Sequence, residues 1–340
     1  MTIDLQAVIR PALVCALIGG AATVFAFAGA VFGGRVTPTR IVDALERRDG
    51  TYPAARRAHA KGACFSGHFD SNGKAGLLTR ARSLAPEARS RVVGRFSTGG
   101  GKPHAPDGRL VFRGMALRLV ADNGEEWRTA MDHTPIFPVK RPEDFVALQV
   151  AMRPGPGGKP DANAVQAFLS QHPETRAFND YLKQAPIPSS FANGTYYGIN
   201  AFYFVDRAGT RQPVRWSLVP EAPFEAIASE KLAQQPPDFL FDDVRARVLQ
   251  APLRWKLEIT LAEPGDPLSD ATLRWPAGRK TLTAGELVVD RVAPEEADGC
   301  RDLNFDPLVL PPGIQPSTDP LLAARSAAYA ASFRRRAEGS

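Results

Sequence analysis

Two stretches of the 340-residue sequence hold residue types able to do proton and metal chemistry. Near the beginning, Arg56-Arg57-Ala58-His59-Ala60-Lys61-Gly62 sets a single imidazole among small residues, three positions after a guanidinium. A neutral imidazole at the mouth of an apolar pocket can take up and return a proton near neutral pH. Taken alone, His59 also reads as a structural or surface histidine. Near the end, Arg325 and Tyr329 stand four apart in the Ala-rich, helix-favouring run Leu321 to Arg336, so they share one face, and Arg336 falls near it. A phenol ionises at about pH 10 unless a neighbouring cation such as a guanidinium favours the phenolate. Arg334-Arg335-Arg336 supports another reading of this run, a basic amphipathic tail with Tyr329 in the core.

Other chemistries find no footing. Gly94 to Lys102 has glycines and a lysine, but Gly100 stands where a phosphate-binding loop needs its lysine. There is no GxSxG, HExxH, CxxC or CxxCH, so covalent haem attachment through paired cysteines is disfavoured. His59, His68, His104, His133 and His172 lack metal-ligand spacing along a helix, which argues against a zinc or non-haem iron site.

The elements that must position these groups are mixed. Hydrophobic residues at 44% and charged residues at 23% exclude wholesale disorder and coiled coil. The net charge of +6 is interspersed, without the basic stripe that nucleic-acid binding requires. Helices are expected at Thr37–Arg48, Pro142–Met152, Ala162–Gln171, Pro173–Leu182, Phe224–Leu232 and Asp238–Leu249. Strands are expected at Ala63–Phe69 and at Leu110–Ala121, where Val111, Met115, Leu117 and Leu119 face one way. Tyr196–Val205 and Val214–Val219 flank the turn Asp206-Arg207-Ala208-Gly209, and Leu253–Leu261 with Ala271–Trp275 form another expected pair. Without strict βαβ alternation, this is an α+β chain built on an antiparallel sheet or barrel, in one domain over residues 35–340. Residues 1–34 stand apart. Pro11 to Gly34 carries no charge and exceeds the roughly 7–15 residues of a signal-peptide core, while Ala28-Gly29-Ala30 suits signal-peptidase cleavage. The segment reads as a membrane anchor or a long signal peptide, with the body exported. Without it only Cys64 and Cys300 remain, enough for one disulfide.

Four motifs, in order, resemble those of haem catalases. Arg56 to Gly62 matches the distal-histidine pattern RxxHAKG, and Arg95-Phe96-Ser97-Thr98 matches RFST. Met131 to Phe137 is similar to GNNTPxF, with Phe145 eight residues on as that family's pattern requires. Asn304-Phe305-Asp306-Pro307, Pro312-Gly313-Ile314, Pro316-Ser317-Thr318-Asp319 and Arg325 to Tyr329 resemble the proximal FDP, PGI, PSxD and RxxxY signature. The whole is most similar to the short catalase-related peroxidases. That resemblance implies a catalase-like antiparallel β-barrel with flanking helices, haem b as cofactor and Tyr329 as iron ligand, tyrosine being the axial ligand of catalases. It further implies His59 as the distal proton carrier, Ser97 as its hydrogen-bond partner and Arg325 tuning the phenolate. Arg56, Arg95 and Arg336 would hold the propionates, as planar forks suited to carboxylates. Ala58, Phe137, Phe145 and Leu321 would line the pocket, as each would equally suit a plain core.

The departures matter. The family's distal Asn is Asp132 here, followed by His133; an ionised Asp only accepts hydrogen bonds where Asn also donates, and a protonated one could still donate. Phe333 replaces a family His, and the chain ends soon after the Tyr329 helix, so the C-terminal helical region of large catalases and much of its NADPH scaffold are expected to be missing. The resemblance therefore implies a peroxidase with weak or no catalase activity, using hydrogen peroxide or organic hydroperoxides and a small organic reductant. Its setting would be periplasmic, secreted or anchored to the inner membrane. Membrane anchoring and a homo-oligomer stay open. Two alternatives remain: a haem isomerase or dehydratase of lipid hydroperoxides, similar to allene oxide synthases, and a non-enzymatic exported haem-binding protein.

Overall fold

The computed structural model describes residues 36–109, 111–295 and 299–339. The apolar run Pro11–Gly34 lies outside them. Pro38–Ser340 forms one compact unit. Helix α1 (Pro38–Asp49) leads into β1 (Gly62–Asn72), β2 (Pro86–Thr98), β3 (Arg113–Val120) and β4 (Glu126–Asp132). Three helices follow, α2 (Pro142–Ala151), α3 (Ala162–Gln171) and α4 (Pro173–Gln184), then the short β5 (Ile187–Pro188). The chain returns through β6 (Tyr196–Val205), β7 (Arg211–Pro220), β8 (Ala226–Ile227), α5 (Ser229–Leu232) and α6 (Phe239–Gln250). It ends with β9 (Leu253–Leu261), β10 (Thr281–Pro294), β11 (Ile314–Pro316) and α7 (Pro320–Ala337).

Eight strands pair antiparallel in the order β6-β4-β3-β2-β1-β10-β9-β7, and β7 returns to β6, closing a barrel with β11 added along β6. The closure at β4 and β6 is narrow, a single pairing of Asp132 with Tyr197. Period-two alternation builds the interior. Met115, Leu117 and Leu119 on β3, Val214, Trp216 and Leu218 on β7, and Trp255, Leu257 and Ile259 on β9 all point inward and are buried. Aromatic rings fill the centre, with Phe65 on Phe96, Phe96 on Phe191 and Trp127 against Trp216 at centroid separations of 4.5, 5.2 and 5.1 Å. Helix α7 is tied to α1 by Arg335, whose guanidinium donates to Asp43 at 2.6 Å and Glu46 at 2.5 Å.

Three expectations need correction. Leu110–Ala121 narrows to Arg113–Val120, with Val111 ahead of the strand and Leu110 outside the described residues. Ala271–Trp275 is not a strand. Its neighbourhood is fastened by side chains instead: Arg215 donates to the carbonyls of Pro267, Asp270 and Leu273, and Asp270 caps Thr272. The true partners of β9 are β7 and β10. Phe224–Leu232 yields one helical turn, α5, because Ala226–Ile227 pairs with Ile187–Pro188 and the Glu225 carbonyl accepts from the Ser189 amide. Strands β2, β4 and β10 were not anticipated. On β2 the inward residues Ala88, Ser90 and Val92 alternate with polar ones, so the apolar signal is thin.

Trp255 is wholly buried, so Trp255→Ala should cost about 3–5 kcal/mol of unfolding free energy by opening a cavity. A urea titration should show the midpoint falling; an unmoved midpoint would place the packing centre elsewhere.

Candidate active site

His59 sits between α1 and β1 with φ at 52°, a left-handed conformation unusual for a residue with a Cβ. Its surroundings hold it there. The Ala60 amide donates to the Gly100 carbonyl at 2.9 Å, and Arg57 is fixed by Glu46 at 2.5 Å and by the Ala55 carbonyl at 2.6 Å. Such strain persists where neighbouring contacts over-determine the backbone, commonly at working sites. Imidazole Nδ1 lies 3.2 Å from Ser97 Oγ on β2, and Nε2 lies 3.9 Å from Asp132 Oδ1 at the end of β4. The side chain keeps 34% exposure and lines a cavity. Burial pushes the His59 pKa down; Asp132 pulls it up, and Arg95, Arg325 and Arg56 add to the depression. The net effect keeps the ring neutral below its ordinary range.

Two glycines make room for this arrangement. A Cβ at Gly114 would stand 2.8 Å from Ser97 Oγ and 3.0 Å from His59 Nδ1, so the Ser–His contact needs glycine on β3. A Cβ at Gly62 would strike the Arg95 guanidinium at 2.3 Å. Gly62 belongs to the HAKG stretch, whereas Gly114 escaped the sequence reading and only the three-dimensional approach of β2 and β3 reveals it.

The α7 side is equally ordered. Asp319 caps α7 by accepting from the Leu321 amide at 2.9 Å, and its other oxygen accepts from Asn200 Nδ2 at 2.8 Å. Asn200 Oδ1 in turn accepts from Arg325 Nη1 at 2.6 Å, while Arg325 Nη2 donates to the Ala130 carbonyl at 2.9 Å and reaches Tyr329 Oη at 3.5 Å. Burial opposes the Arg325 charge, but Tyr329, Asp132 and Asp319 outweigh it and hold its pKa above the usual value. Asn200 is a residue the sequence reading missed; an Asn inside an apolar strand was its only signal.

Arg56, Arg95 and Arg336 gather at the same cavity. Arg95 is clasped by Glu295, with Nε to Oε1 at 2.5 Å and Nη2 to Oε2 at 3.0 Å, and Arg56 Nε stands 3.9 Å from that carboxylate. Three cations against one carboxylate leave a local surplus of two positive charges. Burial and mutual repulsion push the Arg56 and Arg336 pKa values down, while Glu295, held ionised by the guanidiniums, opposes this. Arg56 Nε and Arg336 Nη2 are buried with no hydrogen-bond partner. A buried donor left unsatisfied is costly, and two anionic groups entering here would satisfy both.

The cavity is about 250 Å³, and its walls include Ala58, Phe137, Phe145 and Leu321 besides the polar groups above. All twelve residues singled out from the sequence line it: His59, Ser97, Asp132, Arg56, Ala58, Arg95, Phe137, Phe145, Leu321, Arg325, Tyr329 and Arg336. A second chamber of about 320 Å³ shares Ala58, His59, Asp132, Phe137 and Phe145 and runs between α2, α3 and α4 over mostly apolar side chains. His133 lines neither. It exchanges backbone and ring bonds with Arg113 instead, its Nδ1 accepting from the Arg113 amide at 3.1 Å. Among the described residues one other cluster could hold a metal, Asp144, His172 and Glu174. Its members are already engaged, His172 with Glu174 at 3.1 Å and Asp144 with Arg141 at 3.3 Å.

The donor set suits a flat, apolar, dianionic iron macrocycle: a phenol for the metal, an imidazole for protons, guanidiniums for two carboxylates. A haem enzyme built on a closed antiparallel barrel is the class these features define. A family model described as Catalase matches residues 37–340. Over 305 residues the sequence is 35% identical to a catalase-related peroxidase of Synechococcus elongatus, covering 89% of this chain and 90% of that protein. Over 304 residues it is 31% identical to a catalase-related peroxidase of Mycolicibacterium paratuberculosis, covering 89% and 96%. Catalase A from Saccharomyces cerevisiae shares the fold with a TM-score of 0.74 at 20% identity, over 84% of this chain and 62% of that one. The chain spans 58–62% of the length of the solved catalases it matches. It belongs to the catalase family.

Burial lowers the His133 pKa from 6.5 to about 4. The unfolded chain therefore binds the extra proton first, and stability contributed by neutral His133 is lost as pH falls from 6.5 toward 4. Urea midpoints should decline across that window, and His133→Asn should flatten the decline. An identical slope in the variant would contradict the assignment.

Proposed function

We propose that this chain is a haem b peroxidase that reduces hydrogen peroxide or organic hydroperoxides with an organic electron donor, and that its catalase activity is weak or absent. The observation that carries this reading is the convergence, in one cavity, of a neutral His59, the Arg325–Tyr329 pair and a guanidinium cluster with two unmatched charges. Tyr329 would hold the iron through its phenol oxygen, with Arg325 fixing that oxygen's position. Arg56, Arg95 and Arg336 would hold the propionates. Ala58, Phe137, Phe145 and Leu321 exclude water. When bound, the haem supplies the redox-active iron at which a peroxide O–O bond breaks.

The chain's part is proton handling. His59 Nε2 takes the proton from the near peroxide oxygen and returns it to the departing one, while Ser97 holds the ring by Nδ1. Two electrons and two protons from the donor balance the conversion of ROOH to ROH and water. An Asp at position 132 in place of Asn can donate a hydrogen bond to peroxide only through its acid form, which favours turnover with a reductant over disproportionation of two peroxides. The apolar second chamber beside His59 and Asp132 supports bulky organic hydroperoxides as substrates. Export of the body is proposed from the uncharged run Pro11–Gly34 together with the Cys64–Cys300 disulfide, a bond that persists in oxidising compartments. The proposed setting is the periplasm, with the body secreted or anchored to the inner membrane by residues 1–34. Among the described residues no helix is long and apolar enough to cross a membrane.

His59→Ala should retain haem and lose about 10²–10⁴-fold in peroxidase rate. An unchanged rate would remove His59 from the mechanism. Tyr329→Phe should weaken haem binding or alter the ferric absorption spectrum, and a wild-type spectrum would overturn the ligand assignment. A fatty-acid hydroperoxide supplied without reductant should accumulate no rearranged product; an allene oxide or its hydrolysis products would make the enzyme an isomerase instead.

A further inference from the structure

The Cys64–Cys300 disulfide joins β1 to the short turn Cys300–Asp302. Both cysteines are wholly buried and pack with Phe305. The same turn grips a cavity residue. Arg56 Nη2 donates to the carbonyls of Cys300 at 3.0 Å, Arg301 at 3.2 Å and Leu303 at 3.1 Å, and the guanidinium lies 5.7 Å from the Phe305 ring centroid. On the other side of the bridge, Cys64 Sγ lies 3.9 Å from the carbonyl of Glu295, the residue whose carboxylate clasps Arg95.

An arginine side chain has about 2 kcal/mol of rotamer entropy to lose, so its aim has to come from a rigid partner. Three carbonyls on one nitrogen fix the guanidinium of Arg56, but only while the turn itself is fixed. Cys300–Asp302 is a three-residue 3₁₀ turn, too short to be rigid alone. Its covalent anchorage is the sulfur bridge to β1, beside the packing of Leu303 and Phe305 and the hold of Arg128 on the Asn304 carbonyl at 2.6 Å.

We infer that the Cys64–Cys300 disulfide is a positioning clamp for Arg56, so that the cavity's grip on an anionic cofactor depends on that bond being closed. The inference rests on the haem reading above. Opening the bridge takes two electrons and two protons from a dithiol, which closes to its own disulfide and leaves two thiols on the chain. No bond to Arg56 is made or broken; the three carbonyls are released from their register and the guanidinium loses its aim.

The full-length, haemin-loaded protein tests this by transfer of haem to excess apomyoglobin. Cys64→Ser/Cys300→Ser should lose haem about tenfold faster than the native chain, the size of one lost charge-assisted hydrogen bond. In an Arg56→Ala background the same cysteine change should add less than about twofold, because the two act through one contact. Equal loss rates with and without the bridge, or effects that simply multiply, would overturn the clamp. Where the cysteine variant fails to fold, the native chain gives the reciprocal measurement. Saturating haemin should slow reduction by dithiothreitol, read by iodoacetamide trapping of the freed thiols, about tenfold, and Arg56→Ala should abolish most of that protection. Identical reduction rates with and without haemin overturn the clamp alone. A folded chain that takes up no haemin overturns the cofactor reading and the clamp together.

Discussion

Buried positive charge is the constraint around which this molecule is arranged. Arg56, Arg95, Arg325 and Arg336 all line one cavity, and desolvation opposes the charge of Arg56, Arg325 and Arg336. Three of them find a partial answer. Arg325 is stabilised by Asp319 through Asn200 and by Tyr329, Arg95 by Glu295, and Arg56 by three backbone carbonyls. What stays unanswered, two buried donors and two units of charge, is the feature that points to a dianionic ligand.

The barrel explains how residues so distant in sequence reach one cavity. His59 precedes β1, Ser97 closes β2, Gly114 opens β3 and Asp132 closes β4, so antiparallel pairing brings all four to one end of the sheet. Helix α7 then carries Leu321, Arg325, Tyr329 and Arg336 along one face, with its start fixed by Asp319 and its last turn by Arg335 on α1. The single pairing between β4 and β6 leaves the barrel least bonded next to Asp132, beside the second chamber.

The site was more legible than the fold. His59, Ser97, Arg325 and Tyr329 sit in compact motifs whose residue types are tied to chemistry, so they can be read without knowing the strands. Gly114, Asn200 and Glu295 could not be read this way. Their importance lies in approach distances and charge pairs between segments far apart in the chain. Strands with clean alternation, such as β7 and β9, show in the sequence, whereas β2 hides behind outward arginines. Ala271–Trp275 misleads because the segment is itself a loop, with the carbonyls of Asp270 and Leu273 held by Arg215 rather than by a neighbouring strand.

A crystal structure of the haemin-reconstituted chain tests the central claim most directly. The iron should be bonded to the Tyr329 oxygen, with both propionates on Arg56, Arg95 and Arg336 and His59 left unligated. Iron bound by His59, or a macrocycle outside this cavity, would contradict it.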